Sequence, residues 1–215
     1  MDPLTTAIDD AVFAFIDVET TGLSPQTSRV CEVALICFKG NTRVNHFSSL
    51  VNPGLPIPPE VSKIHGITGE MVRGSPSFGA LAPRLLDALE GSVIVAHNAD
   101  FDLSFLKMEF ARAGLRLPEL PIIDTLHMAR GFGAFSNNRL GTIAKELALP
   151  AGNRHRALSD VETTRKIFEH FMVLFKKDGA ATVADIIRKI APPPGYCYNS
   201  DPKNRPASGP GSPGA

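Results

Sequence analysis

The chain has 215 residues, enough for one domain with a short extension. Apolar residues make up 43% and charged residues 20%, ordinary globular usage that excludes a wholly disordered chain, a collagen and a coiled coil. The 22 basic and 22 acidic groups cancel, but residues 1–119 hold 9 basic against 14 acidic and residues 120–191 hold 11 against 7, so a neutral total does not exclude an anionic partner.

Residues 1–10 read as a loose lead-in. Val12 to Asp17 (VFAFID) is an apolar run of strand length ending in a carboxylate, and Val30 to Lys39 (VCEVALICFK) is a second run. Gly40-Asn41 signals a turn, after which Thr42 to Val51 supplies a third strand. Three strands joined by short turns predict an antiparallel meander. Asn52 to Pro59 carries four prolines and reads as loop. The period then changes. Glu60 to Val72 holds short helical pieces broken at Gly66 and Gly69. Phe78 to Leu89 reads helical, with Leu81, Leu85, Leu86 and Leu89 on one stripe. Val93 to Ala96 is a buried strand, Ala99 to Ala113 a helix stopped at Gly114, and Leu120 to Ile123 another short strand. Helices follow over Asp124 to Arg130, Leu140 to Leu147, Ala157 to Phe175 and Thr182 to Ile190. Three strands followed by alternating helices and strands favour an α/β or α+β layer with a mixed sheet. Residues 192–215 hold seven Pro and four Gly, a density that cannot build a packed core and reads as a flexible tail or linker. The expected division is a lead-in at 1–10, the main domain at 11–176, a C-terminal helix at 177–191 and the tail.

Three scattered cysteines, Cys31, Cys37 and Cys197, form no CxxC pair and suit a reducing compartment. The acidic N-terminus lacks a basic, then apolar, leader pattern, and no run of ~18 apolar residues exists. The expectation is a cytoplasmic protein that does not enter a membrane.

The carboxylates carry the chemistry. In Asp17-Val18-Glu19 the two acids share one face of a strand, beside Phe13 and Phe15. An isolated pair of this kind is more often a charged strand end facing water. Asp102 falls on the helical stripe 102, 105, 106, 110, 113 (Asp, Phe, Leu, Phe, Ala), one turn from a start where Asn98 would be the N-cap. Asp100 can satisfy the helix dipole from outside that stripe, so Asp102 is the acid that needs a partner. Asp160 heads the stripe 160, 164, 167, 171, 174 (Asp, Thr, Ile, Phe, Leu), and His155 precedes it by about a turn. A lone His before a helix is more often a cap or a surface group. Four carboxylates at the buried ends of apolar stripes cannot stay unpaired, because burying even one costs several kcal/mol. Hard cations with oxygen ligands, Mg²⁺ or Mn²⁺, resolve the conflict.

Phe15-Ile16-Asp17-Val18-Glu19-Thr20-Thr21-Gly22 resembles the first motif of the DnaQ-like exonuclease family. His97-Asn98-Ala99-Asp100-Phe101-Asp102 resembles the second, and His155-Arg156-Ala157-Leu158-Ser159-Asp160 the third, in the variant with His five residues before the last Asp. Ile64-His65-Gly66-Ile67-Thr68 matches a further element of the family. The likeness covers about residues 11–176 and is greatest to the epsilon proofreading subunit of bacterial DNA polymerase III. It implies a ribonuclease H-like fold, a five-stranded mixed β-sheet flanked by α-helices, and 3′→5′ hydrolysis of single-stranded DNA ends to nucleoside 5′-monophosphates. It also implies two Mg²⁺ or Mn²⁺ ions held by Asp17, Glu19, Asp102 and Asp160, with Asp17 bridging and His155 as general base.

The resemblance puts the 3′-terminal nucleotide against the backbone of Thr20, Thr21 and Gly22, with Leu23 as a wedge between the last two bases. His65 and Phe101 would pack on the terminal sugar and base, with helix-start packing an equal reading of Phe101. His97 and Asn98 belong to the expected substrate site, though scaffold and cap roles suit them better. Arg139, Arg154 and Arg156 are candidates for phosphate contacts or for solvated surface positions. The rival readings are an RNA-directed or generic single-strand exonuclease and a catalytically inactive nucleic-acid-binding scaffold. The Pro/Gly-rich tail departs from the pattern of a subunit tethered to a polymerase, which makes a stable polymerase partner doubtful.

Overall fold

In a computed structural model the chain is described over residues 2–150 and 156–191. Five strands form one mixed sheet: β1 (Val12–Thr20), β2 (Val30–Lys39), β3 (Thr42–Leu50), β4 (Val93–Ala96) and β5 (Ile122–Asp124). Their order across the sheet is β3-β2-β1-β4-β5, with β1–β2 and β2–β3 antiparallel and β1–β4 and β4–β5 parallel. The helices are α1 (Pro59–His65), α2 (Gly69–Val72), α3 (Phe78–Leu89), α4 (Ala99–Arg112), α5 (Thr125–Phe132), α6 (Leu140–Glu146), α7 (Ala157–Lys177) and α8 (Val183–Ile190).

β1 is the central strand, and both its faces are covered. Its side chains alternate between two cores because the strand period is two. Phe13 and Phe15 join Ile36, Phe38 and the α7 residues Ile167, Phe168 and Phe171. Ile16 and Val18 face the other way, onto Leu85 and Leu89 of α3 and Phe105, Leu106 and Phe110 of α4. This double burial is why the strand reads as a continuous apolar run. A tilted ring pair, Phe13–Phe168 at 4.9 Å, fastens α7 to β1, and an edge-on pair, Phe78–Phe110 at 5.2 Å, fastens α3 to α4 on the other face.

The meander is real, but only the Gly40-Asn41 turn between β2 and β3 is short, with Gly40 at φ +53°. Residues 21–29 separate β1 from β2, and a buried salt-bridge cluster holds that loop in shape. Glu109 of α4, with 1% of its side chain exposed, takes a bidentate pair from Arg29 at 2.6 and 2.9 Å. Arg112 also reaches it, and donates to the loop carbonyls of Pro25, Gln26 and Ser28. Glu109→Ala is expected to cost about 1–3 kcal/mol and to loosen the loop selectively. Hydrogen exchange should rise at residues 21–29 more than in β2.

Several boundaries differ from the sequence reading. Gly69 begins α2 instead of breaking a helix, because Thr68 caps it through Met71 N–H. Pro59 is the first residue of α1, where its missing N–H costs nothing. On α7 the stripe leaves Leu174, which is exposed, and passes to Phe175, which is buried. Residues 2–10 are not loose. Ala7 bridges Thr182, Ile8 N–H donates to Ala181 O at 3.0 Å, and Ile8 shares a core cluster with Val183, Ile186 and Ile190. Among the described residues no helix is long and apolar enough to cross a membrane.

Candidate active site

Parallel pairing with β4 covers only Phe13–Phe15 of β1, so the last turns of β1 overrun their neighbour. The carboxyl end of a strand where the strand order reverses, as it does at β1, is a natural ligand site in open α/β sheets. Asp17 and Glu19 lie on this overrun, on the same face as Phe13 and Phe15, as the alternation predicts. α7 crosses that face and brings Asp160 from its first turn. Oxygens of Asp17, Glu19 and Asp160 lie within 4.8 Å of one another. Asp102, in the first turn of α4, is 3% exposed and arrives from the other side. Its Oδ1 accepts Val18 N–H at 3.0 Å, filling the backbone site left where β4 has ended. The structure therefore brings all four predicted acids to one end of β1.

The electrostatics are those of crowded, buried like charges. Burial holds the Asp17 carboxyl well above the usual carboxylate range, and Asp102, Glu19, Asp160 and Glu32 add to the effect. Glu19 is pushed up to about 8, by burial first and then by Asp160 and Glu32. Asp102 also rises to about 8, chiefly through burial and against the opposing hydrogen bond from Val18 N–H. Acids this perturbed want a compensating charge. The donor set is carboxylate oxygen throughout, which fits a hard divalent cation and not a thiophilic one.

The remaining predicted residues divide. The Thr20–Gly22 turn sits directly after the acids and is internally bonded. Thr20 Oγ1 donates to Gly22 O at 2.6 Å, and Thr21 exchanges hydrogen bonds with Arg29. A Cβ on Gly22 would stand 2.6 Å from Ser28 Oγ, so a larger residue there would have to turn the serine hydroxyl aside. Leu23 is 87% exposed beside this turn, an uncovered apolar side chain. Phe101 is half-buried against Phe105, with ring centroids 5.0 Å apart.

His65 is buried beside the turn. Its Nδ1 accepts Ile67 N–H at 3.0 Å, so Nε2 carries the proton and faces Thr20 O at 3.3 Å. His97 is likewise held by the scaffold, with Nε2 donating to Asn138 O at 2.9 Å and Nδ1 against Thr125 Oγ1 at 2.9 Å. Burial lowers its pKa, which favours the neutral ring. Asn98 stands at the predicted N-cap position of α4 but makes no side-chain cap bond, because its backbone is left-handed at φ +69°. Asp124, at the end of β5, does the capping, accepting from Asn98 N–H, Ala99 N–H and Leu126 N–H and so fastening α4 and α5 together. Arg139 is exposed ahead of α6. Arg156 is paired with Glu32, with 41% of its side chain still exposed. His155 and Arg154 lie outside the described residues.

Glu32 and Asp124 escaped the sequence reading. Glu32 is paired in register with Glu19 across β1–β2. A lone Glu in the run VCEVALICF was the available signal for it, and an acid directly before Thr125 was the signal for Asp124.

The family RNase_T, described as "Exonuclease", matches residues 14–168. DNA polymerase III PolC-type of Thermotoga maritima is 34% identical over 177 residues, which is 82% of this chain and 13% of that protein. The 3′-5′ exonuclease DinG of Bacillus subtilis is 37% identical over 158 residues, 73% of this chain and 17% of that protein. The chain thus spans less than a fifth of the length of these relatives. E. coli exonuclease I in complex with a dT13 oligonucleotide superposes with a TM-score of 0.68 at 20% identity, over 79% of this chain and 42% of that one. Exonuclease X in complex with 5′-overhanging duplex DNA gives 0.62 at 25% identity, over 83% and 99%. With its sheet order and its motifs in agreement, the chain belongs to the RNase_T exonuclease family, of the DnaQ-like type, and has the ribonuclease H-like fold.

Proposed function

We propose that the chain is a divalent-cation-dependent 3′→5′ exonuclease that shortens single-stranded DNA ends and releases nucleoside 5′-monophosphates. The observation that carries this is the convergence of Asp17, Glu19 and Asp160 within 4.8 Å, with Asp102 bonded to the residue after Asp17. The name of the DinG relative and the DNA bound by the two structural neighbours support polarity and substrate. Two Mg²⁺ or Mn²⁺ ions, when bound, would polarise the scissile phosphate and acidify the attacking water. Asp17, crowded by Asp102, Glu19 and Asp160, would help to hold both ions. Glu19 and Asp160 would contribute to one site and Asp102 to the other.

His155, which immediately precedes Arg156 at the start of α7, takes the proton from the attacking water. An imidazole with a reference pKa of ~6.5 is mostly neutral above pH 7 and so able to accept it. His155→Ala should retain Mn²⁺ uptake and lose about 100-fold or more in turnover. Near-normal turnover at pH 8 would remove His155 from this role. The Thr20–Gly22 backbone receives the terminal nucleotide, Leu23 wedges between the last two bases, and Phe101 stacks, a contact worth ~1–3 kcal/mol per base. Among the described residues Cys31 and Cys37 are free and buried, which is consistent with work in the cytoplasm.

The test compares 3′-labelled and 5′-labelled single strands of DNA and RNA, with Mn²⁺ and with chelator. Immediate release of labelled mononucleotide from the 3′-labelled DNA, stopped by chelator, is the expected result. Preferential decay of RNA would change the substrate, because a contact to the 2′-OH is what separates the two sugars. No decay of any strand with Mn²⁺ present would leave a binding scaffold.

A further inference from the structure

Asp102 is delivered by the first turn of α4, so its aim depends on how that helix begins. Its Oδ1 is fixed on β1 by Val18 N–H at 3.0 Å. A helix can pivot about one bond, so a second anchor is needed before the carboxylate has a definite direction. That anchor lies on β5. β4 pairs with β5 as far as Ala96 and Asp124, and the chain then leaves β4 and enters α4 within two residues. The joint contains Asn98, left-handed at φ +69° and without a side-chain cap bond of its own. A non-glycine residue keeps such a conformation only where the surrounding structure imposes it.

Asp124 imposes it here. Its Oδ1 accepts Asn98 N–H at 2.9 Å and its Oδ2 accepts Ala99 N–H at 3.0 Å. Oδ1 also takes Leu126 N–H at 2.8 Å and so caps α5. Both oxygens of this buried carboxylate are thus occupied by backbone donors. β4 lies between β1 and β5, so the start of α4 is held on both flanks, to β1 through Asp102 and to β5 through Asp124. A working ligand set must be held to within about 0.5 Å. We propose that Asp124 is a positioning residue for Asp102: by holding the first two amides at the start of α4 it fixes the first turn, so that the Asp102 oxygen not bonded to Val18 stays aimed at a divalent cation. The inference rests on the reading of the four acids as a cation site. Asp124 acts through Asp102 and touches neither the ion nor the strand.

The test follows Mn²⁺-dependent nucleotide release from a 3′-labelled single strand of DNA by the full chain, at one Mn²⁺ concentration below saturation. Asp124→Ser keeps a hydroxyl able to cap α5, serine being a favoured N-cap residue. It lacks the second oxygen and the reach to hold α4. Turnover should fall about 10- to 100-fold, the range seen when residues supporting metal ligands are replaced. The Mn²⁺ needed for half-maximal rate should rise, while KM for the strand stays within a few-fold. The decisive comparison is a double-variant cycle. In an Asp102→Asn background, Asp124→Ser should change turnover by no more than about twofold, because the ligand it positions is already gone. A larger further loss means that Asp124 serves the fold or another part of the site, and overturns the proposal. If Asp124→Ser does not fold, Asp124→Asn, nearly the same shape with one acceptor fewer, takes its place under the same criteria. A folded Asp124 variant with parent-like turnover and Mn²⁺ requirement, beside a slow Asp102→Asn, sinks this inference alone. Parent-like turnover in Asp102→Asn, or a parent with no Mn²⁺-dependent turnover, overturns the cation site and this inference together.

Discussion

Asp17→Asn is expected to lower turnover roughly 1,000-fold or more while making the metal-free protein more stable at pH 8. The activity loss follows from position. Asp17 is the acid that feels Asp102, Glu19, Asp160 and Glu32 together. On the proposed two-ion reading, loss of a shared ligand would forfeit several kcal/mol of transition-state charge stabilisation, and each ~1.4 kcal/mol is tenfold in rate. The stability gain has the opposite origin. Burial and four neighbouring acids oppose ionisation of Asp17, so the neutral, isosteric amide removes repulsion that the folded state otherwise carries. Turnover on a labelled strand and thermal unfolding in chelator measure the two effects separately. Retention of more than a tenth of the activity would remove Asp17 from the centre of the mechanism, and a loss of stability would mean that its carboxylate makes needed bonds.

The metal-free protein should become less stable as pH rises from 5 to 8.5, with the melting temperature falling by on the order of 10 °C. Glu19 and Asp102 keep their protons in the folded chain up to about pH 8. In the unfolded chain both release them near pH 4. Between those values the folded state binds more protons than the unfolded one, so each rise in pH favours unfolding. Divalent cations are expected to reverse this dependence. Bound to the ionised acids of the folded state, they would raise the melting temperature little at pH 5, where protons compete, and much at pH 8. Thermal scans across that pH range, with Mn²⁺ or chelator, read both slopes. A metal-free melting point that climbs with pH over this window would contradict the crowding of charge at the site.

The same crowding makes sense of the surrounding bonds. Val18 N–H to Asp102, Asp124 across the starts of α4 and α5, Glu109 to the 21–29 loop and Glu32 to α7 each fasten an acid-bearing element to a neighbouring segment. Repelling groups stay together only where the scaffold over-determines their positions. For this reason the site stands on helix starts and a strand end.

What could be read without the structure is what short-range periodicity encodes. Two-residue alternation placed Asp17 and Glu19 on the face of Phe13 and Phe15. Helical spacing placed Asp102 above Phe105 and Asp160 above Thr164 and Ile167. Those acids stand out locally, because each interrupts an apolar stripe at the end of its own element. The three-strand meander and the α/β alternation are visible for the same reason. What only the tertiary structure decided are the pairings between distant segments. Glu32 and Arg156 are 124 positions apart, Glu109 and Arg29 are 80 apart, and Asp124 caps a helix that begins 25 residues before it. In the sequence each of these is one charge among many, and nothing nearby marks its partner. Asn98 misled for the complementary reason. An asparagine ahead of a helix looks like a cap, and only the packed backbone put Asn98 in a left-handed conformation without a side-chain cap bond. Periodicity is a property of neighbours along the chain, whereas charge pairing and backbone strain depend on which neighbours the fold supplies.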